Sequence, residues 1–208
     1  QLIDAARAAG VRQFVFTSAL VPDTYRAIDY FAAKFATEEY LRASGLTWTI
    51  LRPTAFMETW AQIVGEPLVR TGSTKIFGSG LNPLNFVAVD DVARIAVMTV
   101  DRPDACHAFV DIGGPENLTL LDVAAIFERV TGRTGTRTHL PVPILRLLGT
   151  LVRPFNPVFA RQVRAGALMA AAAQPFDPAP MLAKYPVRLT RLEEWVRARY
   201  GPDAAPSI

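Results

Sequence analysis

The sequence predicts an α/β fold built on a doubly wound parallel sheet, and three observations carry that prediction. Residues 13–17 and 47–52 are short apolar runs without polar alternation, the pattern of strands buried on both faces. Between them, residues 29–44 form a helical segment of crossover length, closed by Gly45. The strand-then-helix order recurs at residues 86–89 and 90–100, and again at 108–112 and 119–132. With 208 residues, 50% of them hydrophobic, the chain can bury a substantial core.

Taken in order, the chain opens in a helical pattern, with Leu2, Ile3, Ala6 and Ala9 on one face and Gly10 as its stop. The strand at 13–17 ends in Thr17-Ser18. In open α/β sheets the carboxyl ends of strands line the ligand crevice, so polar residues there are stronger site candidates than polar residues elsewhere. Residues 20–29, with Pro22 and Asp23, read as a loop. Asp29 is the expected N-cap of the next helix, with Phe31, Phe35, Tyr40 and Leu41 as its packing residues. Pro53 ends the strand at 47–52 and exposes Thr54. Residues 66–85 are rich in turn formers around a short strand at 75–77. Asp90 or Asp91 is expected to cap the helix to about residue 100. Thr119 with Asp122 resembles a capping box, and Gly132 stops that helix before a last strand at 136–140.

Tyr30 and Lys34 stand four residues apart and so share one helix face. A neighbouring ammonium favours the phenolate and makes the phenol a better proton donor or acceptor near neutral pH. Ser18, at a strand end, can hydrogen-bond the oxygen whose proton moves. With 5 Tyr and three Lys in the chain, chance supplies about 0.07 Tyr-x-x-x-Lys matches. Spacing alone leaves open a Tyr packed on a core edge beside a solvated Lys.

The flanking residues settle more. Ala8-Ala-Gly-Val-Arg-Gln-Phe-Val-Phe-Thr-Ser-Ala19, Tyr30-Phe-Ala-Ala-Lys34, the run from Ala36 to Pro53, Phe56-Met57, Phe86-Val-Ala-Val-Asp-Asp-Val-Ala93 and Gly113-Gly-Pro-Glu116 resemble, in order and spacing, the atypical short-chain dehydrogenase/reductase superfamily, in its NmrA-like branch. The resemblance covers residues 1 to about 135. It implies the C-terminal portion of a Rossmann-like domain and an NADP cofactor, with NAD the alternative. It also implies Tyr30, Lys34 and Ser18 as catalytic residues. Thr17, Ser18, Lys34, Pro53, Thr54 and Phe56 would bind the cofactor, and Met57 and Trp60 would line a substrate pocket. Such folds begin with G-x-G-x-x-G. Here the nearest candidate is Gly78-Ser-Gly80, with Pro83 at the third position. The expectation is therefore that this chain is the C-terminal part of a longer protein.

Composition narrows the partners. Net charge is +3, and the Lys and Arg residues are scattered, so no nucleic-acid partner is expected. Cys106 is the sole cysteine, which fits a reducing cytoplasm. His107 and His139 have no metal-ligand spacing, so no metal is expected.

From Pro141 the character changes. Pro141, Pro143, Pro154 and Pro157 punctuate apolar helices that carry Arg146, Arg153, Arg161 and Arg164. Residues 1–140 are expected to form the partial NAD(P)-binding domain and 141–200 a small helical appendage, followed by a tail at 201–208. The appendage reads either as a substrate cap or as a surface that docks a membrane or protein through residues 141–170. Thr190 and Glu193 read as a capping box for the last helix. The functional expectation is hydride transfer between nicotinamide and a carbonyl or quinone-like small molecule. The alternatives are a non-catalytic NADP(H)-sensing regulator and an assembly subunit of a membrane complex.

Overall fold

A computed structural model describes residues 1–202; the expected tail beyond them lies outside the described residues. Helix α1 (Leu2–Ala8) leads into strand β1 (Gln13–Thr17), helix α2 (Asp29–Arg42) and strand β2 (Thr47–Pro53). Strands β1 and β2 pair in parallel, and β2 pairs in parallel with β6 (Ala108–Ile112) on its other side. The intervening elements are β3 (Ala55–Phe56), α3 (Gln62–Thr71), β4 (Ser73–Phe77), β5 (Leu84–Val87) and α4 (Val89–Thr99). After β6 come β7 (Asn117–Leu118), α5 (Leu120–Thr131), β8 (Thr136–Leu140), α6 (Val142–Leu151), α7 (Pro157–Ala171), α8 (Ala179–Lys184) and α9 (Leu192–Tyr200).

The strand period of two sorts side chains onto two faces. Phe14, Phe16, Trp48 and Ile50 pack with Ile3 and Leu41 under α1 and α2. Val15, Leu51, Val110 and Ile112 pack with Val92, Ile95, Met181 and Tyr185 under α4 and α8. The central strand is therefore covered on both sides, which is why its sequence is apolar without alternation. Two smaller sheets are also present among the described residues. In one, β3 runs parallel to β5 and β5 antiparallel to β7; in the other, β4 runs parallel to β8. The largest core cluster joins Val64 and Leu68 of α3, Val123 and Phe127 of α5, Met169 of α7 and Trp195 of α9. Residues from the segment 141–200 thus share this cluster with residues of the first 140.

The Thr119–Asp122 capping box forms in both directions, and Gly132 takes the left-handed φ of +67° that ends α5. Other local expectations are overturned by longer-range partners. Asp29 lies inside the first turn of α2, after an Ile28 cap, and its carboxylate accepts from Arg161 Nε at 3.0 Å. Tyr40 is half exposed rather than packed, and its hydroxyl donates to Asp4. Neither Asp90 nor Asp91 caps α4, which starts after Ala88. Asp91 is fully buried and accepts from the Thr190 amide (2.8 Å) and hydroxyl (2.9 Å) and from Arg94. With Thr190 so engaged, the expected Thr190–Glu193 box does not form; Glu116 instead accepts the Leu192 amide at the start of α9. The region of 66–85 read as turns begins with α3, which carries Pro67 in its interior. Leu2, expected on the buried face of α1, is exposed, whereas Ile3 is buried.

Candidate functional site

The site forms where the strands end. Beyond β1 and β2 the backbone keeps pairing: the Ser18 amide donates to Leu51, Leu20 to Pro53, and Thr54 to Ile112. These bonds hold Ser18 and Thr54 on adjacent strand ends, the place where an open parallel sheet leaves its crevice. A cavity of about 800 Å³ opens there.

Its walls come from six parts of the chain, among them β5 with Leu84 and Asn85 and the segment 173–175. The segment after β1 supplies Ser18, Leu20, Val21, Tyr25 and Ile28, and α2 supplies Tyr30 and Phe31. Pro53 closes the central strand, Thr54 and Phe56 follow it, and Thr59 and Trp60 sit on a single π-helical turn, Met57–Ala61, that precedes α3. Such turns interrupt the regular ladder and often mark functional sites. The last wall is α7, with Val158, Arg161, Gln162, Ala165 and Met169. It is tied down by Arg161 on Asp29 and by Arg164 Nη2 donating to the Ala27 carbonyl at 2.7 Å.

The structure brings most of the predicted residues together. Ser18 is buried, and its Oγ has no hydrogen-bond partner among the described residues. Tyr30 is 50% exposed and lines the cavity. Lys34 Nζ lies 5.6 Å from the Tyr30 ring centroid and donates to the Thr17 carbonyl at 2.7 Å. Burial lowers the Lys34 pKa. One ammonium has three N–H donors, so donor capacity remains beyond the Thr17 bond. Pro53, Thr54, Phe56 and Trp60 all line the cavity. Thr17 contributes its backbone carbonyl, while its side chain is exposed. Met57, predicted as a substrate contact, is 1% exposed inside the main core and does not face the cavity. The π-turn directs it inward while its neighbours Thr59 and Trp60 face outward.

Two cavity residues escaped the sequence reading. Asn85 is buried at the centre of the site's polar framework. Its Oδ1 accepts from the Gly114 amide (2.7 Å) and the Thr54 hydroxyl (2.9 Å). Its Nδ2 donates to Gly114 O, Glu116 O and Asn117 Oδ1 at 3.0–3.2 Å. Gly114 must be glycine for this, because a Cβ there would lie 1.8 Å from the Phe86 carbonyl oxygen. Tyr25 is a second cavity phenol, buried, accepting from Gln174 Nε2 at 2.9 Å. Burial pushes its pKa up to about 12 against the opposing effect of Gln174, so it stays protonated at neutral pH. The signal for Asn85 was a polar residue inside an apolar strand pattern; nothing local distinguishes Tyr25.

Chemically, the site combines an apolar chamber with hydroxyl donors gathered on one side and a half-buried cation beside one of them. It suits a molecule with an apolar body and an oxygen that gains or loses a proton.

Comparison with known proteins agrees with this architecture. A model of the NmrA-like family matches residues 1–195. Photosystem II assembly factor Ycf39 of Synechocystis is 25% identical over 207 residues, covering 96% of this chain and 63% of that protein. Agroclavine dehydrogenase of Claviceps fusiformis is 33% identical over 136 residues, covering 64% of this chain and 45% of that protein. Among solved structures, the leucoanthocyanidin reductase–NADPH complex from Vitis vinifera superposes with a TM-score of 0.73 at 18% identity, over 94% of this chain and 70% of that one. That likeness establishes a Rossmann-like fold. The chain spans less than two thirds of the length of these two curated relatives.

Proposed function

The chain belongs to the NmrA-like family, and from that premise we propose that it forms the substrate chamber and nicotinamide-facing wall of an NAD(P)-dependent oxidoreductase. The observation that carries this reading is the pair on the cavity wall: Tyr30, 50% exposed, with the half-buried Lys34 ammonium 5.6 Å from its ring centroid. Ser18, whose hydroxyl has no partner among the described residues, lines the same cavity at the end of β1.

These residues fit the nicotinamide end of such a cofactor. Lys34 has donors to spare for ribose hydroxyls, Thr54 offers a side-chain oxygen, and Pro53 and Phe56 offer an apolar wall. When bound, NADP(H) supplies or accepts the hydride. Tyr30 donates its proton to the carbonyl or quinone-like oxygen of the substrate, and Lys34 stabilises the phenolate left behind. Ser18 donates a hydrogen bond to the same oxygen. Leu20, Phe31 and Trp60 hold the substrate's apolar body and exclude water. NADP is the cofactor we favour, in keeping with the NADPH complex of the structural neighbour.

The test uses the full-length protein. Tyr30→Phe should lower turnover by about 100-fold or more, the usual contribution of a positioned general acid, while NADPH affinity by fluorescence titration stays within a few-fold. Unchanged turnover would remove Tyr30 from this role. A second reading is favoured by the near-complete alignment with an assembly factor. In it the same cavity binds NADP(H) without turnover and reports its redox state to a partner. NADPH binding with no turnover of any ketone or quinone by the wild-type protein would select that reading.

A further inference from the structure

The α6–α7 hairpin and its flanks, residues 141–176, contain no Asp or Glu and carry four arginines. Within this stretch α6 buries one side, through Leu145 and Gly149, while Phe77 and Val163 pack beside Leu145. Its other side is apolar as well. Ile144, Leu147 and Leu151 recur at helical spacing and are 53–61% exposed. The connecting turn adds Phe155, 88% exposed, and α7 begins with exposed Val158 and Phe159. Arg161 and Arg164 are spent on Asp29 and the Ala27 carbonyl. Arg146 and Arg153 are exposed and make no ion pair among the described residues.

An apolar ridge flanked by free cations complements a surface that is negative outside and apolar just beneath. The hairpin itself carries no acidic residue, and the one carboxylate that meets it, Asp29, is held by Arg161, so Arg146 and Arg153 remain for an external anionic surface. We propose that the α6–α7 hairpin docks the protein on an anionic lipid surface, with Leu147, Leu151 and Phe155 inserted among the acyl chains and Arg146 and Arg153 on the headgroups. Val158 belongs to this face and also lines the cavity. Docking therefore brings the cavity wall against the membrane, a short route for an apolar substrate dissolved in it. Among the described residues no helix is long and apolar enough to cross a membrane.

The experiment is co-sedimentation of the full-length protein with phosphatidylcholine vesicles, with and without about 30 mol% phosphatidylglycerol, at low and high salt. The wild type should bind the anionic vesicles, and high salt should weaken that binding. R146Q/R153Q should weaken it about 30-fold, which corresponds to two charges at about 1 kcal/mol each. L147E/F155E should weaken it at least about 100-fold, since two large apolar side chains lose their burial. Both substitution pairs are at exposed positions, and an unchanged thermal midpoint checks that the fold is kept. Equal binding to neutral vesicles, no binding to either, or variants that bind like wild type would overturn the proposal. So would a concentration-dependent dimer in sedimentation velocity that L147E/F155E abolishes, because a second copy would then cover this face.

Discussion

Asn85 offers the sharpest test of how the site is held. It is 2% exposed and makes five hydrogen-bond contacts to four residues. Its amide has two hydrogens for three acceptors, so one is shared, and about four effective bonds remain. At about 1 kcal/mol net for each, Asn85→Ala loses about 4 kcal/mol. The buried Gly114 amide and carbonyl cannot easily recover a partner, which places the expected loss at about 3–5 kcal/mol. Many domains have only about 5–15 kcal/mol in all, so the variant should unfold at clearly lower denaturant. Asn85→Asp discriminates further. It keeps the acceptor for Thr54 and Gly114 but turns a carboxylate oxygen toward Gly114 O, Glu116 O and Asn117 Oδ1. Those acceptors and the burial raise the introduced carboxyl's pKa in the folded state. The folded state then binds the proton more tightly than the unfolded chain, so stability relative to wild type rises as pH falls below the raised value and is lost as pH climbs through it. Urea unfolding of the three proteins at neutral and mildly acidic pH reads both effects. A loss under about 1 kcal/mol for Asn85→Ala, or a pH-independent difference for Asn85→Asp, would refute the network argument.

Three further outcomes are expected. Ser18→Ala removes a buried hydroxyl without a partner among the described residues, so the ligand-free protein should gain up to about 1 kcal/mol in denaturant titration while turnover falls; a variant less stable than wild type would show that the hydroxyl is satisfied without ligand. Gly114→Ala should prevent soluble expression, because its Cβ meets the Phe86 backbone; Gly132→Ala, with open space around it at φ +67°, should cost only about 1–2 kcal/mol by thermal melt. Asp29 is held below the ordinary carboxylate range, first by its hydrogen bond from Arg161. This tie between α2 and α7 is intact above the unfolded Asp pKa and is lost as pH falls through the lowered folded value. Tryptophan emission, to which Trp60 in the cavity wall contributes beside Trp48 and Trp195, should therefore respond to loss of this tie only below about pH 4, and Asp29→Asn should raise KM with little change in stability.

Features that local physics controls were legible from the residues alone. The order of β1, α2, β2, β5, α4, β6, α5 and β8 followed from apolar runs and their periods, whereas α3 fell in a region read as turns. The stop at Gly132 and the box at Thr119–Asp122 were legible because the bonds involved span only a few residues. Tyr30 and Lys34 were paired by helix spacing, and Ser18 and Thr54 were placed at a crevice by their positions at the ends of parallel strands. Tertiary structure decided what depends on partners far along the chain. Asp91 and Thr190 each looked like a helix cap, yet 99 residues apart they satisfy one another, because burial makes a specific partner worth more than a local one. Helix α3 persists around Pro67 because Val64 and Leu68 are buried in the main core, and that packing outweighs the turn-forming composition around it. The closing wall of the cavity is the clearest case. Helix α7 reaches the Tyr30 segment through contacts spanning 132 and 137 residues, Arg161 to Asp29 and Arg164 to Ala27. No periodicity or motif encodes a contact of that range; only the packed fold brings its two sides within hydrogen-bond reach.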